Sequence, residues 1–111
     1  MQTLSPLRAK VDTWEEQILR VLLDKHCLSI LSITKENAMT ASMICSYCNI
    51  SISAAYRKLK LLKKLNLLRS TYTIQSDGKK LTLFQSKIIK INIVLCENQL
   101  QIHTDFVPLE R

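Results

Sequence analysis

The chain has 111 residues, of which 47% are hydrophobic and 23% charged, with one glycine and two prolines, so one globular domain spanning residues 1–111 is expected. No apolar run reaches the roughly 18 residues of a membrane span, and the start lacks the apolar segment of a secretory signal, which predicts a soluble cytoplasmic protein without membrane partners. Sixteen Lys and Arg against nine Asp and Glu give a net charge of +7, an imbalance that favours binding to a polyanion.

Two helices are predicted in the first third of the chain. Thr13 followed by Glu16 is typical of a capping box, and apolar residues recur at helical spacing after it, over residues 14–23. Asp24 is an N-cap candidate for a second helix, which should end near Thr34. The pattern leaves open whether the two helices are fused.

A short turn between two further helices predicts a helix-turn-helix. Thr40 is the N-cap candidate of the first of them, which should stop at Asn49, because asparagine tolerates the left-handed conformation that ends helices. The second should begin at Ser51 or Ser53 and end at Asn66. Its predicted apolar face consists of Ile52, Ala55, Tyr56, Leu59, Leu62 and Leu65. This arrangement makes the second helix the recognition helix of the motif.

The rest of the chain is predicted to form two β-hairpins. Residues 67–74 favour a strand, Ser76-Asp77-Gly78 is a hairpin turn, and residues 81–84 resume a strand, which together predict a wing. Residues 88–95 and 100–106 flank the polar residues 97–99 and predict a C-terminal hairpin. The predicted fold class is therefore α+β: a winged helix-turn-helix of about four helices, with its core at about 14–86 and the C-terminal hairpin at about 87–107.

The basic residues concentrate on the predicted recognition helix and wing. No Asp or Glu lies between Asn37 and Ser76, whereas an ordinary solvated surface mixes both signs of charge. Base contacts are expected from the N-terminal half of the helix and phosphate contacts from its later lysines, although the wing lysines could instead protect an edge strand. The candidate DNA-binding residues are Ser51, Ser53, Ala54, Arg57, Lys58, Lys60, Lys64, Lys79 and Lys80.

Three segments resemble the ArsR-like winged-helix regulators, particularly the archaeal ones: ASMI at 41–44, NISISAAYRKL at 49–59 and LNLL at 65–68. The resemblance covers roughly residues 17–86. It implies that YRKL lies in the recognition helix, that Asp77-Gly78 turns the wing, and that a homodimer, usually a repressor, binds a palindromic operator. Two family-typical glycines are Asn49 and Asn66 here. The Cys-x-Cys pair of metal-sensing members is Cys45-x-x-Cys48, so metal sensing is not implied.

Nothing in the sequence indicates an enzyme or a cofactor. No glycine-rich phosphate loop, HExxH or GxSxG motif is present. Cys45 and Cys48 share a helical face and are interpreted as small core side chains, because a structural zinc site needs four ligands. A thiol sensor or an intersubunit metal site is the alternative interpretation. Its further ligands would be drawn from Cys27, His26, Cys96 and His103.

The leading hypothesis is a homodimeric regulator that binds double-stranded DNA, in which Trp14, Ile18, Leu22 and the C-terminal hairpin contribute to the dimer interface. The alternatives are a winged-helix module that binds a protein of the transcription machinery and a non-specific, chromatin-type DNA binder. RNA binding is less favoured, since the few aromatic residues form no evident stacking platform.

Overall fold

The computed structural model describes residues 13–108, in which four helices are followed by four strands. The helices are α1 (Trp14–Leu22), α2 (Lys25–Ile33), α3 (Ala41–Cys48) and α4 (Ile52–Lys64). The strands are β1 (Leu68–Ile74), β2 (Lys80–Ser86), β3 (Ile88–Cys96) and β4 (Gln99–Phe106). The predicted α+β architecture of four helices and two hairpins is confirmed. The first 12 and last three residues of the predicted domain lie outside the described residues, so the prediction that the start lacks a secretory signal falls on residues that are not described.

Each helix begins at a side chain that accepts a hydrogen bond from the first turn. Thr13 Oγ1 accepts from the Glu16 backbone N–H at 3.1 Å, and Glu16 completes the capping box. Thr40 and Ser51 accept from the backbone N–H groups three residues later, both at 3.1 Å. Asp24 caps α2, so α1 and α2 are separate helices. These local bonds satisfy N–H groups that a helix leaves unpaired, which is why the caps were predictable.

Two asparagines in the left-handed conformation end the helices of the helix-turn-helix. Asn49 has φ 58° and ψ 50°, and Asn66 has φ 67°. The Ile50 N–H then donates to the Cys45 carbonyl at 3.1 Å, which closes the end of α3. Asparagine can therefore serve where glycine is usual, because its short polar side chain lowers the cost of positive φ.

One core joins the helices to the base of both hairpins. Its fully buried side chains include Ile18, Ile30, Ile44, Leu59, Leu62 and Leu67. Two members of the predicted apolar face of α4 were wrongly placed: Tyr56 is 54% exposed and Ile52 is also exposed. The buried sector of α4 is narrower than the apolar pattern suggested, since only Ala55, Leu59 and Leu62 of this helix are fully enclosed.

The wing is an antiparallel pair of strands attached to the segment before α3. β1 and β2 pair in register from Leu68 opposite Ser86 to Ile74 opposite Lys80. Gly78, with φ 89°, donates its N–H to the Gln75 carbonyl at 2.9 Å in the turn. Met39 and Phe84 exchange two backbone hydrogen bonds, of 2.9 and 2.8 Å. This bridge fixes the base of the wing beside the helix-turn-helix.

β3 and β4 form a second, separate two-stranded sheet. Their turn, Glu97-Asn98, has positive φ at both residues, 51° and 67°, as in a type I′ hairpin turn. A bulge between Ile88 and Lys90 changes the register near the base. Ile88 is buried in the core, whereas most of the hairpin beyond it is exposed. Within residues 13–108 no helix has the length and apolar character to cross a membrane.

Candidate nucleic-acid interface

One side of α4 is polar and basic and faces away from the core. Ser53, Arg57, Lys60 and Lys64 are all exposed. At 100° per residue they fall within about 60° of one another, opposite the buried Ala55 and Leu62. The first turn of α4 contains no acidic residue. The exposed face therefore carries three cationic side chains without a carboxylate on the same helix.

The N-terminus of α4 carries two serine hydroxyls and no acidic side chain. Ser51 Oγ accepts the Ala54 N–H at 3.1 Å and lies 3.3 Å from Ser53 Oγ. The positive end of the helix dipole is not neutralised by a first-turn acid, and such ends favour phosphate. The structure gives Ser51 a capping role, while Ser53 stays exposed and Ala54 is half-buried.

Lys58 is directed away from the other basic residues of α4. Its Nζ lies 2.6 Å from Asp24 Oδ2, in a partly exposed ion pair. The other carboxylate oxygen, Oδ1, accepts the backbone N–H groups of His26 at 2.8 Å and Cys27 at 3.1 Å. The hydrogen bond from Lys58 is the largest cause that lowers the pKa of Asp24 below its ordinary 3.8; partial burial opposes the shift. Lys58 therefore faces the α1–α2 corner in this structure.

The wing carries the two remaining predicted residues near its tip. Lys79 and Lys80 are both exposed. The Lys79 backbone N–H donates to Asp77 Oδ1 at 3.0 Å, which orders the turn. Lys80 Nζ lies 4.9 Å from the centre of the Tyr72 ring, within cation–π range. Both lysines are thus presented to solvent on an ordered hairpin.

Tyr56, a residue outside the predicted set, lines a shallow depression between α4 and the wing. Lys60, Lys63 and Phe84 also border this depression, and its volume is about 280 Å³. Tyr56 was assigned to the buried face, yet it offers an exposed ring and a hydroxyl beside two lysines. Its helical position, about 40° from Lys60, is the signal that could have identified it.

The cysteines bring no metal centre together among residues 13–108, where no group of three or more His, Cys, Asp or Glu could hold an ion. Cys27 is buried, and burial raises the pKa of its thiol to about 11. Burial also raises the pKa of Cys48, which packs against the core. A protonated thiol is a poor nucleophile and ligand, so Cys48 fits its interpretation as a small core residue. Cys45, the other residue of the pair, is only half-buried, and its thiol donates to the Ser42 carbonyl at 3.4 Å.

The structure has a winged-helix fold. α3 and α4 are joined by a short turn, the β1–β2 wing is bonded to the chain beside α3, and one face of α4 is exposed. The structure is similar to that of the winged-helix protein NolR from Sinorhizobium fredii, with a TM-score of 0.55, 21% sequence identity, and coverage of 78% of this chain and 81% of NolR. The sequence matches no protein-family model and no curated protein. At this identity the likeness shows the fold, while the ArsR-like and archaeal assignments stay predictions.

Proposed function

We propose that the chain is a sequence-specific regulator of transcription that binds double-stranded DNA as a homodimer and acts by binding rather than by catalysis. Its main support is the exposed face of α4, which carries Arg57, Lys60 and Lys64 and no carboxylate. In winged-helix and related proteins the second helix of the motif enters the major groove. NolR, which shares the fold, is a transcriptional regulator, and this supports the same class of function.

The residues of the interface divide between base and phosphate contacts. Arg57 lies in the N-terminal half of α4, and its planar guanidinium can donate two hydrogen bonds to O6 and N7 of a guanine. Ser53 and Ala54, one turn earlier, are also base candidates. Lys60 and Lys64 are assigned to phosphates, and the wing lysines Lys79 and Lys80 to a neighbouring phosphate or the minor groove.

A homodimer is supported by the apolar face of the β3–β4 hairpin, which is exposed towards the hairpin tip. Beyond the bulge, Ile91, Ile93 and Leu95 stand opposite Thr104, Ile102 and Leu100 on one face. Ile91 and Ile102 pack against the core, whereas Leu95 is 75% exposed and Ile93 and Leu100 are also exposed. A two-stranded hairpin is marginally stable in water. A second copy of the same face would cover it in an isologous contact.

The three α1 residues assigned to the dimer interface already contact the core of their own chain. The Trp14 indole N–H donates to the Leu65 carbonyl at 3.3 Å, Ile18 is fully buried and Leu22 packs against the core. A depression lies between α1 and the hairpin tip, and its lining includes Leu19 and Leu100. In the proposed dimer, the apolar contacts come mainly from the hairpin, while Trp14, Ile18 and Leu22 hold α1 against the core of its own chain.

Replacing Leu95 with glutamate should weaken the dimer, because a charge on the covered face would be desolvated. Leu95 is largely exposed within one chain, so the substitution should leave the monomer folded. Sedimentation equilibrium should then give the mass of one chain, 12.8 kDa, where the unaltered protein gives twice that value. Gln101→Glu, on the opposite face of the hairpin, is the matched control and should remain dimeric. A monomeric unaltered protein, or an equal loss with Gln101→Glu, would contradict the proposed interface.

Repression is the proposed mode of regulation. Two copies of α4 in successive major grooves, about 34 Å apart, would occupy DNA that other proteins need.

The proposed function can be tested by measuring equilibrium binding to a labelled duplex at several salt concentrations. We expect the logarithm of the association constant to fall linearly with the logarithm of salt, by about 0.9 per phosphate contact. Weak binding with a flat salt dependence would instead favour a protein partner.

A further inference from the structure

Lys58 differs from the other basic residues of α4 in its burial and in its partner. The helix carries five basic residues: Arg57, Lys58, Lys60, Lys63 and Lys64. Four of them are exposed, and only Lys58 is half-buried and held by a carboxylate, 2.6 Å from Asp24 Oδ2. Lys58 lies about 60° from Ala55 around the helix axis, on the side that faces the α1–α2 corner. One positive charge of the recognition helix is thus held at its flank.

Asp24 serves two elements with its two oxygen atoms. Oδ1 caps α2 through the N–H groups of His26 and Cys27, while Oδ2 accepts the hydrogen bond from Lys58. The cap fixes the carboxylate in position independently of Lys58. The ion pair itself is partly exposed, and pairs of that kind contribute little to stability. Neutralising the carboxylate would therefore release Lys58 with little loss of folding stability.

We propose that Asp24 withholds Lys58 from the DNA backbone and thereby limits the sequence-independent part of DNA binding; this rests on the proposed function. The lysine ammonium is a point charge on a flexible four-carbon stem. Once released from Asp24, its flexible stem lets it pair with a phosphate at the flank of α4. A phosphate contact adds affinity for every duplex alike, so the Asp24–Lys58 pair keeps the protein from binding unrelated DNA more tightly.

Asp24→Asn separates the two roles of the residue, because asparagine caps helices about as well as aspartate and carries no charge. Binding to one random-sequence duplex is measured over a series of salt concentrations. The variant should bind several-fold more tightly at low salt, and its log–log salt slope should be steeper by about 0.9. Asp24→Ser, a second uncharged cap, should reproduce the change if the asparagine variant folds poorly.

The same substitution in a Lys58→Gln background tests whether the effect acts through Lys58. Lys58→Gln alone should keep the slope of the unaltered protein, and adding Asp24→Asn should then leave it unchanged. An equal steepening in that background would overturn the proposal, since it would mean that the lost carboxylate acts by general electrostatics. A shallower slope for Lys58→Gln alone, or no effect of Asp24→Asn, would also overturn it. Absence of duplex binding by the unaltered protein would overturn the proposed function as well.

Discussion

Replacing Arg57 with alanine should cost roughly 1–3 kcal/mol of binding free energy on the preferred duplex and relax the preference at the base pair that Arg57 contacts. The physical reason is the loss of a bidentate hydrogen bond that the wrong base cannot form. The exposed position of Arg57 on α4 makes a fold defect from this substitution unexpected. Fluorescence anisotropy titrations on the preferred duplex and on variants with single base changes measure both effects.

Lys64→Ala is the matched control, because Lys64 lies on the same face of α4, nearly two turns further on. It should weaken binding to all duplexes alike and reduce the salt slope by about 0.9. If Arg57→Ala instead weakens preferred and random duplexes equally, Arg57 is a phosphate contact and base recognition must come from other residues.

Replacing Leu62 with alanine should lower the free energy of unfolding by about 2–5 kcal/mol, as expected when a buried leucine leaves a cavity. Leu62 is fully buried, and it belongs to the small set of side chains that anchor α4 to the core. The adjacent Leu61 is 37% exposed and provides the control. Urea denaturation followed by circular dichroism should show a clearly smaller loss for Leu61→Ala. Similar losses for both variants would contradict the observed packing of α4.

Local hydrogen bonding made the helix boundaries predictable from the sequence. Thr13, Asp24 and Thr40 each satisfy N–H groups within three residues of themselves, so the signal and the structure that it specifies are adjacent in the chain. The same holds for the left-handed Asn49 and for the Asp77-Gly78 wing turn. These positions define the helix-turn-helix and the wing without information from distant residues.

Long-range packing decided what the sequence could not predict. The ion pair between Asp24 and Lys58 joins residues 34 positions apart, so no local pattern could indicate that Asp24 holds Lys58. Tyr56 has the apolar character of a core residue, but the side of α4 on which it lies faces the open space beside Phe84. The bridge between Met39 and Phe84 likewise had no local signal.

The C-terminal hairpin was predicted as an element, but its surroundings were not. Alternate side chains of a strand lie on the same face. The sequence pattern could not indicate that the core covers one face only near the base of the hairpin and leaves Leu95 in solvent. That exposure is what supports the dimer in the proposed function.

Selection from a random duplex library, with sequencing of the bound fraction at two salt concentrations, tests the central claim most directly. A sequence-specific dimer should enrich a palindrome whose half-sites lie about one helical turn apart, near 34 Å, and the enrichment should persist at the higher salt. Weak binding without enrichment, abolished by salt, would contradict it and would identify the basic face of α4 as sequence-blind or as a surface for a protein partner.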